Sequence, residues 1–123
     1  MKGRSLSVLV IDDEPTIAKM VDLCLKRTGW TVHTTLDPTQ GAALARCIKP
    51  DVILCDAQMP HVSGAQIISQ LRADAETAQI PIVLMSGGDA EAFSHVPLAG
   101  FLQKPFGPKE VRAALASAAA AAP

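Results

Sequence analysis

Residues 51–60 read DVILCDAQMP, an apolar, strand-like run that ends in the carboxylate of Asp56 and gives way to a polar loop. The same change occurs three more times, where Val8–Ile11 meets Asp12 and Asp13, Ile82–Met85 meets Ser86, and Phe101–Gln103 meets Lys104. In an open parallel sheet the carboxyl ends of all strands emerge at one edge, and ligands bind in the crevice there. We therefore expect the carboxylates, the hydroxyl and the ammonium to converge on one site.

Short apolar runs alternate along the chain with stretches that can be helical, which predicts an α/β fold with a doubly wound parallel sheet and helices on both faces. The predicted strands are Leu6–Ile11, Trp30–Thr35, Val52–Cys55, Ile82–Met85 and Gly100–Gln103. The first, third and fourth are almost continuously apolar, as expected of central strands covered on both sides. Trp30–Thr35 alternates instead, which predicts an edge strand.

The helices are predicted from apolar spacing and from residues typical of helix ends. The first begins at Pro15 and ends by Gly29, the second runs from an Asp37 N-cap to about Cys47, the third spans Gly64–Ala73, and the last starts at Gly107-Pro108. Between Ser86 and Lys104, Gly87, Gly88 and Pro97 leave only a helix of one or two turns, at about Ala90–His95.

The length and composition predict one globular domain over residues 1–123, with an Ala-rich helix end at 117–123. Lys and Arg number 11 against 12 Asp and Glu, a formal net charge of -1, and no clustered basic stripe indicates direct contact with nucleic acid. The apolar runs are strand-sized, and the N-terminal residues show no signal-peptide core or membrane span. We therefore expect a cytoplasmic protein without membrane insertion.

The cysteines and histidines show no spacing typical of a metal site or a disulfide framework. Cys24, Cys47 and Cys55 lie in apolar helix or strand contexts and are expected to be buried free thiols. Of the histidines, only His61 lies near the predicted site, where we expect a solvated loop side chain.

Three carboxylates at one edge, those of Asp12, Asp13 and Asp56, would repel one another unless a cation compensates. Hard oxygen ligands favour Mg²⁺, with Mn²⁺ as the alternative, and Mg²⁺ in proteins is commonly bound together with a phosphate oxygen. A phosphoryl group is therefore expected here, and an aspartate carboxylate can be the nucleophile that receives it. Lys104 offers a second cation and Ser86 a hydroxyl donor.

Four motifs in this order resemble the receiver domain of two-component response regulators. They are Val10-Ile11-Asp12-Asp13-Glu14-Pro15, Asp56-Ala57-Gln58-Met59-Pro60 with Gly64, Leu84-Met85-Ser86-Gly87, and Phe101-Leu102-Gln103-Lys104-Pro105-Phe106. The resemblance covers about residues 6–116, which would form the core of a single receiver domain. It implies the flavodoxin-like strand order 2-1-3-4-5.

The resemblance also implies a role for each matching residue. Asp56 would be the phosphoacceptor, Asp13 a direct Mg²⁺ ligand, Asp12 a ligand through water, and the Gln58 backbone carbonyl the remaining protein ligand. Lys104 would pair with Asp56 and later with its phosphate, and Lys104-Pro105 would be a cis peptide.

Two further residues match the family's switch pair, namely Ser86 as the hydroxyl and Phe101 as the aromatic ring. On phosphorylation the hydroxyl of this pair turns to the phosphate and the ring moves inward. The expected function is thus a phosphoacceptor and not a turnover enzyme. It would receive its phosphoryl group from a sensor histidine kinase or a histidine phosphotransfer protein and change its binding to a protein target.

The alternatives differ in chemistry. A haloacid-dehalogenase-like phosphatase needs a second Asp two residues after its nucleophile, which Asp12-Asp13-Glu14 lacks, and a nucleotide-binding flavodoxin-like protein needs a Gly-rich loop after its first strand. A receiver-shaped module that binds partners without phosphate stays open, because residues 86–104 form a shorter segment than in the family. The end of the chain is also similar to receivers attached to hybrid kinases, so an excised receiver remains open as well.

Overall fold

The computed structural model describes residues 5–88, 93 and 95–120. Its strands are β1 (Ser7–Ile11), β2 (Thr31–Thr35), β3 (Val52–Asp56), β4 (Ile82–Ser86) and β5 (Gly100–Gln103). They form one all-parallel sheet in the order β2-β1-β3-β4-β5, which confirms the predicted flavodoxin-like topology. The alternating run predicted to be an edge strand is β2, at the edge of the sheet.

The helices among the described residues cover both faces of the sheet. They are α1 (Pro15–Leu25), α2 (Gly41–Ile48), α3 (Gly64–Ala73) and α4 (Pro108–Ala120). Side chains alternate along each strand, so Val8 and Val10 pack with α1 and α4, while Leu9 and Ile11 pack with α2 and α3. The sheet is therefore covered by one apolar core on each face. The polar residues lie at its carboxyl edge.

The predicted strand ends differ from the structure by one residue at most. Asp56 and Ser86 do not follow their strands but are the last residues of β3 and β4, because the ladder continues through the Asp56–Met85 and Ser86–Gln103 pairs. The short helix predicted at about Ala90–His95 lies largely outside the described residues.

The second predicted helix starts differently from the expectation. Asp37 does accept a hydrogen bond from the Thr39 N–H, but it caps a 3₁₀ turn at Pro38–Gln40, and the α-helix begins only at Gly41. The thiols also differ from the expectation, since Cys55 is buried and Cys24 half-buried whereas Cys47 is exposed. Among the described residues, no helix is long and apolar enough to cross a membrane.

The loop between β3 and α3 is held by a close approach at Gly64. Ser63 and Gln66 form a capping box at the start of α3, and the Gly64 N–H donates to the Ala57 carbonyl at 2.9 Å. A Cβ at position 64 would lie 2.6 Å from the Asp56 carbonyl oxygen and 2.8 Å from the Ala57 Cα. Both are backbone atoms, so a side chain here would push the loop away from the strand end.

We expect Gly64→Ala to destabilise the fold by about 2–3 kcal/mol, since overpacking against backbone cannot be relieved by a rotamer change. Urea unfolding measures the effect. Gly87→Ala is the matched control, because a Cβ there would meet no atom within 4 Å. Equal stability of the two variants would contradict the argument from close packing.

Candidate functional site

Three carboxylates meet at the carboxyl edge of the sheet. Asp12 and Asp13 follow β1, and Asp56 ends the neighbouring strand β3. One oxygen from each lies within 4.8 Å of the others, an arrangement that can hold a metal ion. Asp12 and Asp56 are buried and Asp13 is half-buried, so the cluster is open to solvent on one side.

Asp12 is buried and only partly satisfied by hydrogen bonds. Its Oδ1 accepts the Glu14 N–H at 2.9 Å, but its buried Oδ2 has no hydrogen-bond partner within the described part of the chain. Burial is the main cause of a pKa of about 6 for Asp12; the charge of Asp56 adds to the rise, and the hydrogen bond from the Glu14 N–H opposes it. A buried carboxylate oxygen without a partner is the atom that a bound cation or an ordered water would satisfy.

Lys104 places a positive charge against Asp56. Its Nζ donates to Asp56 Oδ1 at 3.2 Å and lies 3.6 Å from Glu14 Oε1. Burial lowers the pKa of Lys104, but the carboxylates of Asp56, Asp12 and Glu14 together outweigh that effect, and the pKa is raised. The pKa of Asp56 is also raised, because burial outweighs the attraction of Lys104. One ammonium therefore compensates the acidic cluster only in part.

Ser86 lies beside the cluster, at the end of β4. Its Oγ accepts the Gly88 N–H at 3.0 Å and donates to Gln58 Oε1 at 3.4 Å. Its carbonyl accepts the Lys104 N–H at 2.8 Å, which ties the ends of β4 and β5 together. The Lys104–Pro105 peptide that follows is cis, as the resemblance implied.

Backbone hydrogen bonds hold Gln58 next to the acidic cluster. It forms an isolated antiparallel bridge with Ser63, and the preceding Ala57 N–H donates to the Met85 carbonyl at 2.8 Å. The side chain is exposed, and its amide oxygen reaches Ser86. The backbone of this loop is therefore fixed by β4 and α3.

Phe101 lies apart from the polar residues. It is half-buried in β5, where it packs against the core on the α2 and α3 face. Its ring is 6.0 Å from that of Phe93, centroid to centroid, at an angle of 35°. The structure thus brings together six of the seven residues predicted for the site and leaves Phe101 in an apolar contact.

A shallow cleft of ≈ 360 Å³ opens next to the cluster. It is lined by Asp13, Leu36, Asp37, Pro38, Pro60 and His61. The expectation of a solvated His61 near the site is confirmed, since its side chain is exposed on this cleft.

Two contacts at the site were not predicted from the sequence. The Glu14 carboxylate shares Lys104 with Asp56, and the Gln58 side chain accepts from Ser86. The contact of Glu14 could have been predicted, because Glu14 is a third acid directly after Asp12 and Asp13 in the sequence. No sequence signal distinguishes the role of the Gln58 side chain from that of its backbone.

Comparisons with known proteins agree with this geometry. The family model of the response regulator receiver domain matches residues 8–116. The probable transcriptional regulatory protein TcrX of Mycobacterium tuberculosis is 34% identical over 113 residues, which are 89% of this chain and 47% of TcrX. The protein PilH of Pseudomonas aeruginosa is 39% identical over 84 residues, which are 68% of this chain and 69% of PilH.

Among solved structures, the chemotaxis response regulator CheY4 of Vibrio cholerae is similar with a TM-score of 0.83 and 28% identity, over 91% of this chain and 97% of CheY4. The chain spans about half the length of TcrX and a third of the regulator RpaA of Synechocystis, at 47% and 33%. The chain therefore belongs to the response regulator receiver domain family of two-component signalling.

Proposed function

We propose that Asp56 accepts a phosphoryl group from a phosphohistidine, on a sensor histidine kinase or a histidine phosphotransfer protein. Receiver domains are signalling phosphoacceptors that take phosphoryl groups from histidine kinases. The observation that supports Asp56 is its position between the Lys104 ammonium, 3.2 Å away, and two further carboxylates at the same edge. Lys104 contacts Asp56 directly, and Asp56 pairs with Met85 in β4, which is the residue before Ser86.

The residues present fit a Mg²⁺ ion. Asp13, Asp56 and the Gln58 carbonyl would bind it directly and Asp12 through water. Asp12 Oδ2, which has no hydrogen-bond partner among the residues that the structure describes, supports this assignment. All these ligands are oxygen atoms, which also suit Mn²⁺. When bound, the ion would neutralise charge on the phosphoryl oxygens.

The chain's own residues would then perform the transfer. An Asp56 carboxylate oxygen attacks the phosphorus atom, the phosphorus–nitrogen bond of the donor breaks, and the electron pair leaves with the imidazole, which takes up a proton. Lys104 and Ser86 would donate charge-assisted hydrogen bonds to phosphoryl oxygens. The product is an aspartyl phosphate on this chain.

The phosphorylated chain would signal by a change of packing. Ser86 has to turn away from Gln58 to reach the phosphoryl group, and Phe101 is the aromatic ring that would move inward after it. A few new charge-assisted hydrogen bonds are enough to shift a two-state equilibrium of this kind. We propose that the altered surface binds a protein target and not nucleic acid.

We further propose that residues 1–123 form a single receiver domain with its core at about 6–116, and that it acts in the cytoplasm, where its kinase would be. Several relatives are DNA-binding regulators by name, such as MtrA of Mycolicibacterium smegmatis, and this chain spans 46% of that protein. The proposal for this chain is therefore limited to the receiver chemistry and does not include the DNA binding of such whole proteins.

Asp13→Asn is expected to weaken Mg²⁺ binding at least about tenfold, because it removes a charged ligand. Isothermal titration calorimetry measures the affinity. The matched control is Asp22→Asn, which removes an equal charge from an exposed position on α1. Equal affinities for both variants would contradict the assignment of Asp13.

The proposed function is tested by the intact mass of the chain after incubation with acetyl phosphate and Mg²⁺. We expect one added phosphoryl group that is absent with EDTA and is removed by hydroxylamine, which cleaves acyl phosphates. If acetyl phosphate does not modify the chain, either a donor-specific receiver or a module that binds partners without phosphate remains, and equal partner binding by the wild type and Asp56→Asn would support the second.

A further inference from the structure

The Ser86 hydroxyl is already engaged before any phosphoryl group is present. It accepts from the Gly88 N–H at 3.0 Å and donates its hydrogen to Gln58 Oε1 at 3.4 Å. A serine hydroxyl has one hydrogen and can donate it to one good acceptor at a time. The contact to Gln58 therefore uses the hydrogen that a phosphoryl oxygen on Asp56 would need.

The backbone at position 58 is fixed next to the end of β4, and the rotamer of Gln58 then brings its amide oxygen to Ser86. The Gln58–Ser63 bridge and the hydrogen bond from Ala57 to the Met85 carbonyl hold position 58 against the end of β4. Gln58 itself is exposed, so water can replace Ser86 as the partner of the amide oxygen when the contact breaks. The contact is thus easy to reverse.

Neither neighbouring glycine crowds the Ser86 hydroxyl, although Ser86 itself is fully buried. A Cβ at Gly87 would meet no atom within 4 Å, and a Cβ at Gly88 would only reach ordinary contact with Ser86 Oγ, at 3.6 Å. The hydroxyl is oriented here by its hydrogen bonds to Gly88 and Gln58.

We propose that the Gln58 side chain is a resting-state latch, a positioning residue whose amide oxygen holds the Ser86 hydroxyl and competes with the phosphoryl oxygen for its hydrogen. This inference rests on the proposed function, because it assumes that Ser86 donates to a phosphoryl group on Asp56. The latch involves only the side chain of Gln58. The backbone carbonyl of Gln58 has a different role, as the metal ligand assigned in the proposed function.

The test uses beryllium fluoride with Mg²⁺ in excess, a phosphoryl analogue that binds without being consumed. Gln58→Met keeps the length of the side chain and removes the acceptor, so it is expected to tighten beryllium fluoride binding about twofold, the lower end of the range for one hydrogen bond, because the contact is long at 3.4 Å. Gln58→Ala, which removes the acceptor by truncation, should tighten it similarly. Isothermal titration calorimetry measures the dissociation constants.

A double-mutant cycle separates a latch from a general effect of position 58. In a Ser86→Ala background there is no hydroxyl to release, so Gln58→Met is expected to leave the affinity for beryllium fluoride unchanged. Tightening of the same size in both backgrounds, or no tightening in the wild type, would overturn the latch.

The proposed function and the latch fail in different ways. Suppose that beryllium fluoride binds the wild type and not Asp56→Asn, but that the double-mutant cycle shows no coupling between positions 58 and 86. This result would overturn the latch alone. A wild type that does not bind beryllium fluoride overturns both.

Discussion

The Asp56→Asn variant is expected to keep its unmodified mass after incubation with acetyl phosphate and Mg²⁺, whereas the wild type should gain one phosphoryl group. An amide is a poor nucleophile, so the expected loss is complete. The fold should survive, because Asn has the shape of Asp and the substitution removes one of three clustered acids. Lys104 keeps the Glu14 carboxylate as a partner, 3.6 Å away.

Asp22→Asn is the control for this experiment, since it removes an acid that is exposed on α1 and should be phosphorylated like the wild type. Circular dichroism of both variants checks that they are folded. A phosphoryl group found on Asp56→Asn would place the acceptor on another residue and would sink the assignment.

The Mg²⁺-free protein is expected to become less stable as the pH rises from 4 to 7.5. Burial raises the pKa of Asp12 from 3.8 to about 6, so the folded chain binds this proton more tightly than the unfolded chain. The stabilisation is complete below the unfolded pKa and is lost as the pH rises through the folded one. It amounts to about 3 kcal/mol, of which about 2 kcal/mol falls between pH 4 and 7.5.

Asp12→Asn isolates this contribution, because Asn cannot titrate and its Oδ1 can still accept the Glu14 N–H. Urea unfolding in EDTA should show the variant gaining about 2 kcal/mol relative to the wild type between pH 4 and 7.5. Saturating Mg²⁺ should reduce this gain, since the cation compensates the buried charge. A gain independent of pH would contradict the raised pKa.

Much of the architecture could be predicted from local patterns. Gly64–Ala73 and Gly100–Gln103 have the predicted bounds, since apolar spacing and Gly at an element's start leave little choice. The site was predictable for a different reason. Parallel pairing brings the strand ends to one edge, so polar residues that close several apolar runs must meet there.

The errors come from interactions that cross between elements. Ladder hydrogen bonds extend β3 and β4 over Asp56 and Ser86, although the sequence turns polar at both. The exposure of Cys47 depends on which side of the short helix α2 faces the sheet. Ala45 lies on the buried side of this helix, and Cys47 lies on the exposed side. The contact between Gln58 and Ser86 depends on two rotamers, which no pattern of residue types specifies.

The hydrogen bonds that join β4 to β5 fix the spacing of the chemical groups at the ends of these two strands. The Ala99 N–H donates to the Ile82 carbonyl at one end of the pairing, and the Lys104 N–H donates to the Ser86 carbonyl at the other, both at 2.8 Å. The Ser86 hydroxyl and the Lys104 ammonium are thereby held at neighbouring positions of two paired strands. Because strand pairing sets this spacing, substitution of exposed residues in the linking chain is expected to leave it unchanged.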